Sequence, residues 1–328
     1  MDIIVLGTSN EWCKASWQKN ISLNKIRFFN SKIPFEGNVL KKRLCNLLFS
    51  VKLNKKIRIP LKKPFYTNID RCLKIGEEET IMFVYDWHRF SFDPNLIKYL
   101  KEKHDNLKVC YLFSNIVEKS GAKEYKVLDS LKSTFDYVFA FDKNDASKYG
   151  FDYNYLIYER DEIEACNVVN DIFFVGQAKN RLEEIIDVFN IGVANNLRCD
   201  FHCTNVDHTF ANVPNEIIES SYMKYDDVIS HLLKSRCILD IMQKNSIGIT
   251  LNICEAIIYN KKIITNNCSI KNEPFFKKEN IYILGDNTNS IKDFLDSPFI
   301  EYSDDEKKLF SLEQLINNMR KKNEEEQK

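Results

Sequence analysis

The chain reads as an α/β protein made of two doubly wound domains with parallel sheets. Short β-branched or aromatic runs alternate with longer stretches of helical period along its whole length. Those short runs lack polar alternation, which is the pattern of strands buried on both faces beneath helices. At 328 residues the chain also exceeds one ordinary core, so two domains are expected.

The first strand is "DIIVLG" at residues 2–7, and "TIMFVYD" at 80–86 is another, with the amphipathic "NLIKYLKEKH" behind it. "LKVCYLFS" (107–114) and "YVFAFD" (137–142) follow as strands. After about residue 160 the pattern restarts with strand "DIFFVG" (171–176), helix "RLEEIIDVFNIGVAN" and strand "CDFHCT". Helix "YDDVISHLLKSR", strand "CILDIM", helix "LNICEAIIYN" and strands "KKIITNN" and "NIYILG" complete the second unit. The charged stretch "YERDEIEACNVVN" is the expected join. Three segments result: 1–160, 161–300, and a 301–328 helix that frays into a polar tail, with Leu309, Leu312, Leu315 and Ile316 on its apolar side.

Hydrophobic content of 44% with 29% charge fits a globular protein, and the formal net charge of +0 gives the whole chain no attraction for nucleic acid. The opening "MDIIVLGTSN" is an apolar strand with an acidic second residue, not a leader, and no stretch approaches the ~18 apolar residues of a membrane span. A cytoplasmic location follows as the expectation, with the ten scattered cysteines reduced and serving as small hydrophobes. One segment departs from neutrality. Residues 38–74 hold eleven lysines and arginines against the single acid Asp70. Within it, "NVLKKRLCNLLFSVKLNKK" places Leu40, Leu44, Leu47, Leu48 and Val51 apart from most cations. That pattern fits equally a helix lying on the anionic inner face of a membrane and a core-packed helix with a solvated basic face.

In doubly wound sheets, ligands bind at strand-to-helix loops, so these loops carry the candidate chemistry. In "FFVGQAKNRLEE", Gly176 lets backbone approach a ligand, and Lys179 and Arg181 stand before a helix start, where cations oppose the macrodipole. "CILDIMQKNSIGITLNICEAI" places Gly248 after a polar loop and Thr250 as a helix cap. It also puts Glu255 near the face of Leu251 and Cys254, where a buried carboxylate needs donors such as ribose hydroxyls. The competing reading is an exposed glutamate on a helix phased one residue differently. "VYDWHRFSFD" offers Asp86 and His88 as general base and orienter, against an ordinary strand-end turn. Glu11, in the loop after the first strand, is a rival base, and Asn115 a further acceptor contact. A zinc reading of Cys199, His202, Cys203 and His208 fails on spacing, because strand alternation sends His202 to the face opposite the two cysteines; no metal is expected.

With "FFVGQAKNR" some sixty residues before it, "SRCILDIMQKNSIGITLNICEAIIYNKKIITNN" resembles the nucleotide-binding domain of GT-B type glycosyltransferases. Among these it is similar to bacterial enzymes of lipopolysaccharide and capsule biosynthesis, and "FDYVFAFDKNDASKYGF" looks like the end of their acceptor domain. The resemblance implies two Rossmann-like domains facing across a cleft, acceptor on the first and nucleotide-sugar on the second. Carried over, Glu255 is the ribose ligand, Gly248 and Thr250 form a phosphate loop, and Lys179 and Arg181, beside Gly176, serve the diphosphate. Ile247 stands where many of these enzymes have an earlier glutamate, and Asn252 where a basic residue is common. With no Asp-x-Asp triplet in the chain, the expected activity is metal-independent transfer of a sugar to a glycan or lipid-linked acceptor, without a cofactor. The alternatives are a non-catalytic binding module of a polysaccharide assembly complex and a GT-B-shaped epimerase.

Overall fold

The computed structural model describes the chain except residues 24, 32–33, 51–52, 55–58, 60, 91–92, 125, 161–165, 207–212, 244–245, 287–288 and 327–328. It divides into two compact units, one of Met1–Asp161 with Leu315–Lys328 and one of Glu162–Gln314.

The first unit holds strands β1 (Asp2–Leu6), β2 (Arg27–Phe29), β3 (Thr80–Tyr85), β4 (Leu107–Leu112), β5 (Tyr137–Ala140) and β6 (Asp152–Tyr153). Among the described residues they form one sheet in the order β2-β1-β3-β4-β5-β6, every pair parallel. Its main helices are α1 (Glu11–Ala15), α2 (Val39–Leu48), α3 (Lys63–Leu73), α4 (Pro94–Lys103) and α5 (Lys143–Tyr149). Alternate strand residues serve the two faces. Ile4, Leu6, Met82, Val84, Val109 and Tyr111 pack with Cys45, Tyr66, Ile69, Leu96 and Leu100 from α2 to α4. On the other face Trp17 lies against Phe83, with ring centroids 5.6 Å apart, and donates its indole N–H to Tyr85 Oη at 2.9 Å. All six residues of β3 are buried, as its unbroken apolar run requires. Local signals set the helix ends: Asp93 caps α4 with Pro94 following, and Asp142 caps α5, which ends on Gly150 at φ 61°.

The second unit holds β7 (Asn170–Gln177), α6 (Leu182–Ala194), β8 (Cys199–Thr204), α7 (Tyr225–Leu233), β9 (Ser235–Asp240), α8 (Leu251–Ile258), β10 (Lys262–Thr265), β11 (Ile281–Ile283) and α9 (Ile291–Asp296). Its sheet, again parallel among the described residues, runs β11-β10-β9-β7-β8. The α/β class expected from the sequence is therefore present in both units, each doubly wound. The two share one winding scheme. The second strand flanks the first on one side, and the third, fourth and fifth line up on the other. Each chain reverses beside its first strand, between β1 and β3 in one unit and between β7 and β9 in the other. These are the topological switch points at which open α/β sheets take ligands.

Three features differ from the sequence reading. Strands β2 and β6 were not expected, being too short to carry a pattern. Helix α3 emerges inside the basic segment, where Asp70 is buried and pairs with Lys103 and, at 2.6 Å, with His104. The terminal helix, α10 (Leu312–Glu326), continues ten residues past Ile316, the last of the expected apolar positions. It packs on the first unit through Tyr137–Asn323 at 2.8 Å, Asn318–Asn154 at 2.7 Å and Lys322–Asp152 at 2.5 Å. The amphipathic helix at residue 38 forms as α2, with Val51 outside the described residues. Its leucine ridge faces outward: Leu40 is 74%, Leu44 47% and Leu47 54% exposed, while Cys45 and the following Phe49 pack inward.

Removing the Tyr85 hydroxyl tests the inner face of the first sheet. Tyr85→Phe leaves the Trp17 N–H unpaired in the core, and is expected to lower unfolding free energy by about 1–3 kcal/mol in urea titration. A variant as stable as the parent would show that the bond contributes nothing.

Candidate functional site

In the second unit, the two loops that flank the switch point carry most of the sequence candidates. The first leaves β7 at Gln177. A Cβ on Gly176 would stand 3.2 Å from the Arg181 guanidinium, so this glycine makes room for that side chain. Arg181 turns back over the strand ends. Its Nε and Nη2 donate to Gln177 O at 3.2 and 3.1 Å, and its Nη1 donates to Ile241 O. One guanidinium thus ties the loop after β7 to the loop after β9. This answers why a cation precedes α6 against the macrodipole: it serves strand-end carbonyls, while Glu183 and Glu184 supply the favourable first-turn charges. Lys179 is exposed and takes a left-handed backbone, φ 47°.

The second loop follows β9, which closes on Asp240. This carboxylate is buried; its Oδ1 accepts from Thr250 Oγ1 at 2.8 Å and from Asn252 Nδ2 at 3.3 Å, and Oδ2 has no hydrogen-bond partner among the described residues. Burial raises its pKa, against the pull of Thr250 and the Arg181 charge. Two asparagines at the end of β10 hold the loop. Asn266 Oδ1 accepts from Met242 N at 2.7 Å, and Asn267 Nδ2 donates to Ile247 O at 3.3 Å. Gly248, in this loop, is buried, and Thr250 caps α8 by accepting from Ile253 N at 3.4 Å.

Glu255 lies one turn into α8 and is 2% exposed. Its need for a donor is met within the unit: Tyr225, the first residue of α7, donates its hydroxyl to Oε1. Both Asp240 and Tyr225 escaped the sequence reading. The signal for Asp240 was an acid closing the apolar run "CILD"; nothing local pointed to Tyr225, 30 residues from its partner.

The first unit has the same plan. Asp86 follows β3 at the switch point and is fully buried; its Oδ1 accepts from Ser114 Oγ at 2.5 Å and Ser114 N at 3.2 Å. Burial pushes its pKa up to about 7, with the Ser114 hydrogen bonds pulling the other way. His88 is held elsewhere. Its Nε2 faces Asn30 O at 3.2 Å and its Nδ1 accepts from Phe90 N at 3.2 Å, and burial lowers its pKa to about 3, so the ring stays neutral. Glu11 stands exposed at the start of α1, beside the other switch-point strand. Asn115 turns its Oδ1 onto Ile116 N at 3.0 Å. A cavity of about 810 Å³ opens in the same unit, lined by Lys62, Tyr66, Lys98, Tyr99 and Lys126 around Asp93. There Asp93 accepts from Tyr66 Oη at 3.1 Å and pairs with Lys62 at 3.2 Å. The sequence did not single it out.

The Asp86 shift has a sign that can be checked. A carboxyl that titrates near 7 in the fold and near ~3.9 unfolded takes up a proton on folding across that interval. Its contribution to stability therefore falls as pH rises from about 4 to about 7 and is level above. Asp86→Asn removes the penalty, so the variant should gain on the wild type across this window, by on the order of 1–4 kcal/mol at pH 8. Urea midpoints with a pH-independent gap between the two proteins would rule the assignment out.

No protein-family model matches the chain, and no curated protein does. Among solved structures, it is similar to the Glycosylation Associate Protein (Gap123) complex from Streptococcus agalactiae, at 14% identity and TM-score 0.38, over 77% of this chain and 53% of that one. The chain thus spans about half the length of that protein. It is also similar to the glycosyltransferase SnogD from Streptomyces nogalater, at 8% identity and TM-score 0.40, over 98% of this chain and 95% of that one.

Proposed function

We propose that the chain is a glycosyltransferase that moves a sugar from a nucleoside-diphosphate donor to a glycan or lipid-linked acceptor in surface polysaccharide assembly. The observation that carries this reading is the coincidence of chemistry and winding. In each unit the residues singled out for chemistry lie on or next to the loops that flank the switch point. The nucleotide belongs to the second unit. Amides around Gly176 and Gly248, the Thr250 hydroxyl and the N-terminus of α8 receive the diphosphate, with Lys179 as an exposed cation beside them. Arg181 adds its charge while keeping the two loops in register, and Glu255 receives the ribose by exchanging the Tyr225 hydroxyl for a sugar hydroxyl. These positive groups stabilise the departing diphosphate without a metal. The acceptor belongs to the first unit, where Asp86, titrating near neutrality, takes the hydroxyl proton; Glu11 is the alternative base. His88 positions this loop through its two backbone partners.

The outward leucines of α2, beside Lys41, Lys42 and Arg43, support docking on an anionic membrane from its cytoplasmic face. A second, non-catalytic reading has one observation in its favour. Glu255 and Arg181 already hold partners inside the unit, as a binding module that no longer turns over would retain. Slow release of nucleoside diphosphate from a donor sugar separates enzyme from module.

A thermal-shift screen of uridine, guanosine, cytidine and adenosine diphosphates should find one that stabilises the wild type. Glu255→Gln, which keeps the Tyr225 contact, should weaken that nucleotide about tenfold or more, some 1.4 kcal/mol; equal affinity would sink the ribose assignment. Leu40→Glu with Leu44→Glu, both at exposed positions, should abolish co-sedimentation with phosphatidylserine vesicles. Retained binding would remove α2 from the membrane reading.

A further inference from the structure

The zinc reading rejected on spacing failed because it paired the wrong neighbours. Along β8 the alternation sends Phe201 and Cys203 into the core shared with α6, and sends Asp200 and His202 to the opposite face. Over that face lies α7, whose His231 stacks on Phe173 of β7 with centroids 6.0 Å apart. Three elements therefore bring Asp200, His202 and His231 together, with one ligand atom of each lying within 4.8 Å of the others. His202 Nε2 faces Asp200 Oδ1 at 2.9 Å, and His231 Nδ1 faces Asp200 Oδ2 at 2.7 Å.

We propose that Asp200, His202 through Nε2 and His231 through Nδ1 form a site for a divalent transition-metal ion of the zinc class. Two imidazoles and one carboxylate suit Zn²⁺, Co²⁺ or Ni²⁺ and not Mg²⁺ or Ca²⁺, which take oxygen sets. A tetrahedral ion with bonds of roughly 2.1 Å sets its ligands about 3.4 Å apart, so opening these contacts by about 0.5–0.7 Å admits it. The surrounding groups fit a ligand set. His202 Nδ1 faces Glu219 Oε1 at 2.7 Å, the carboxylate–histidine pairing that fixes the metal-binding tautomer, with the hydrogen on Nδ1 and Nε2 open to the ion. Glu219 is itself fixed, since its backbone N–H donates to Cys203 O at 2.7 Å. Asn170 Nδ2 donates to Asp200 Oδ2 at 2.8 Å and orients that carboxylate. Protein supplies three ligands, and the partly exposed side of His231 leaves the fourth position to water.

The site is separate from the proposed diphosphate loops, because Asp200 lies four residues before the end of β8, roughly 13 Å along the strand. An ion there would clip the edge strand β8 to α7. It leaves metal-independent transfer untouched, and its test is independent of any nucleotide.

The experiment is a Co²⁺ titration of the full chain under reducing conditions, followed by visible absorption and then by Zn²⁺ displacement. Wild type should show one equivalent of d–d absorption that Zn²⁺ quenches, without the thiolate charge-transfer band a cysteine ligand would add. Thermal stability should rise with Zn²⁺ and not with Mg²⁺. His231→Ala and Asp200→Asn should lose the signal, and Glu219→Gln should bind about 10–100-fold more weakly. Circular dichroism of each metal-free variant guards against unfolding, and His231, being partly exposed, is the safest to replace. Equal binding by folded wild type and His231→Ala would overturn the proposal. So would a thiolate band, or no binding by the wild type, which would leave the cluster an ion-pair network.

Discussion

The nucleotide and acceptor sites proposed for this chain depend on one constraint of winding. When a parallel sheet is laid down to one side of its first strand and then to the other, the helices after the first and third strands leave toward opposite faces. The carboxyl ends of those two strands then have no helix packed between their loops, and it is there that open α/β sheets take ligands. Both units meet this condition with the same strand order, although their helices and loops differ in length. In the second unit the gap is spanned by a single guanidinium: Arg181 joins the carbonyl of Gln177, at the end of β7, to that of Ile241, just past β9 and 60 residues from Arg181 itself. A charged donor reaching two strand ends can hold a loop pair open at a fixed separation where an apolar contact would close it.

Much of this was legible beforehand. The strands buried on both faces, β3, β4, β7 and β9, announce themselves as unbroken apolar runs, and the class of the fold follows from their alternation with helical stretches. Gly176, Arg181, Gly248 and Thr250 could be singled out because a glycine, a cation or a cap beside a strand end is a local signal. What stayed hidden depends on contacts distant in sequence. Nothing near Arg181 shows that its donors go to Ile241, and nothing near Glu255 names Tyr225. Strand β2 is three residues long, below any period. The histidine pair shows the same limit: alternation along "CDFHCT" correctly separated His202 from the cysteines, but its real neighbours lie on a helix and a loop supplied later in the chain.

The two buried carboxylates at the switch points differ in how their charge is handled. Asp86 accepts from Ser114 through Oδ1, with no cation among the main influences on it, and burial carries it toward the neutral acid. Asp240 lies near Arg181, whose charge opposes the effect of burial. Burial raises both pKa values, and only at Asp240 does a neighbouring cation pull the other way. The difference arises from which residue each neighbouring strand end contributes.

The terminal helix carries a consequence of a different kind. Leu315–Lys328 belongs to the first unit, although the whole second unit separates it in sequence from the strands it covers. During synthesis the first sheet therefore emerges with the Asn154 and Tyr137 side chains waiting for partners at positions 318 and 323. The first unit can reach its final form only after the second has been translated, so the order of the chain makes the N-terminal half the last to be finished. A fragment cut at the unit boundary would be a sheet with part of its cover missing.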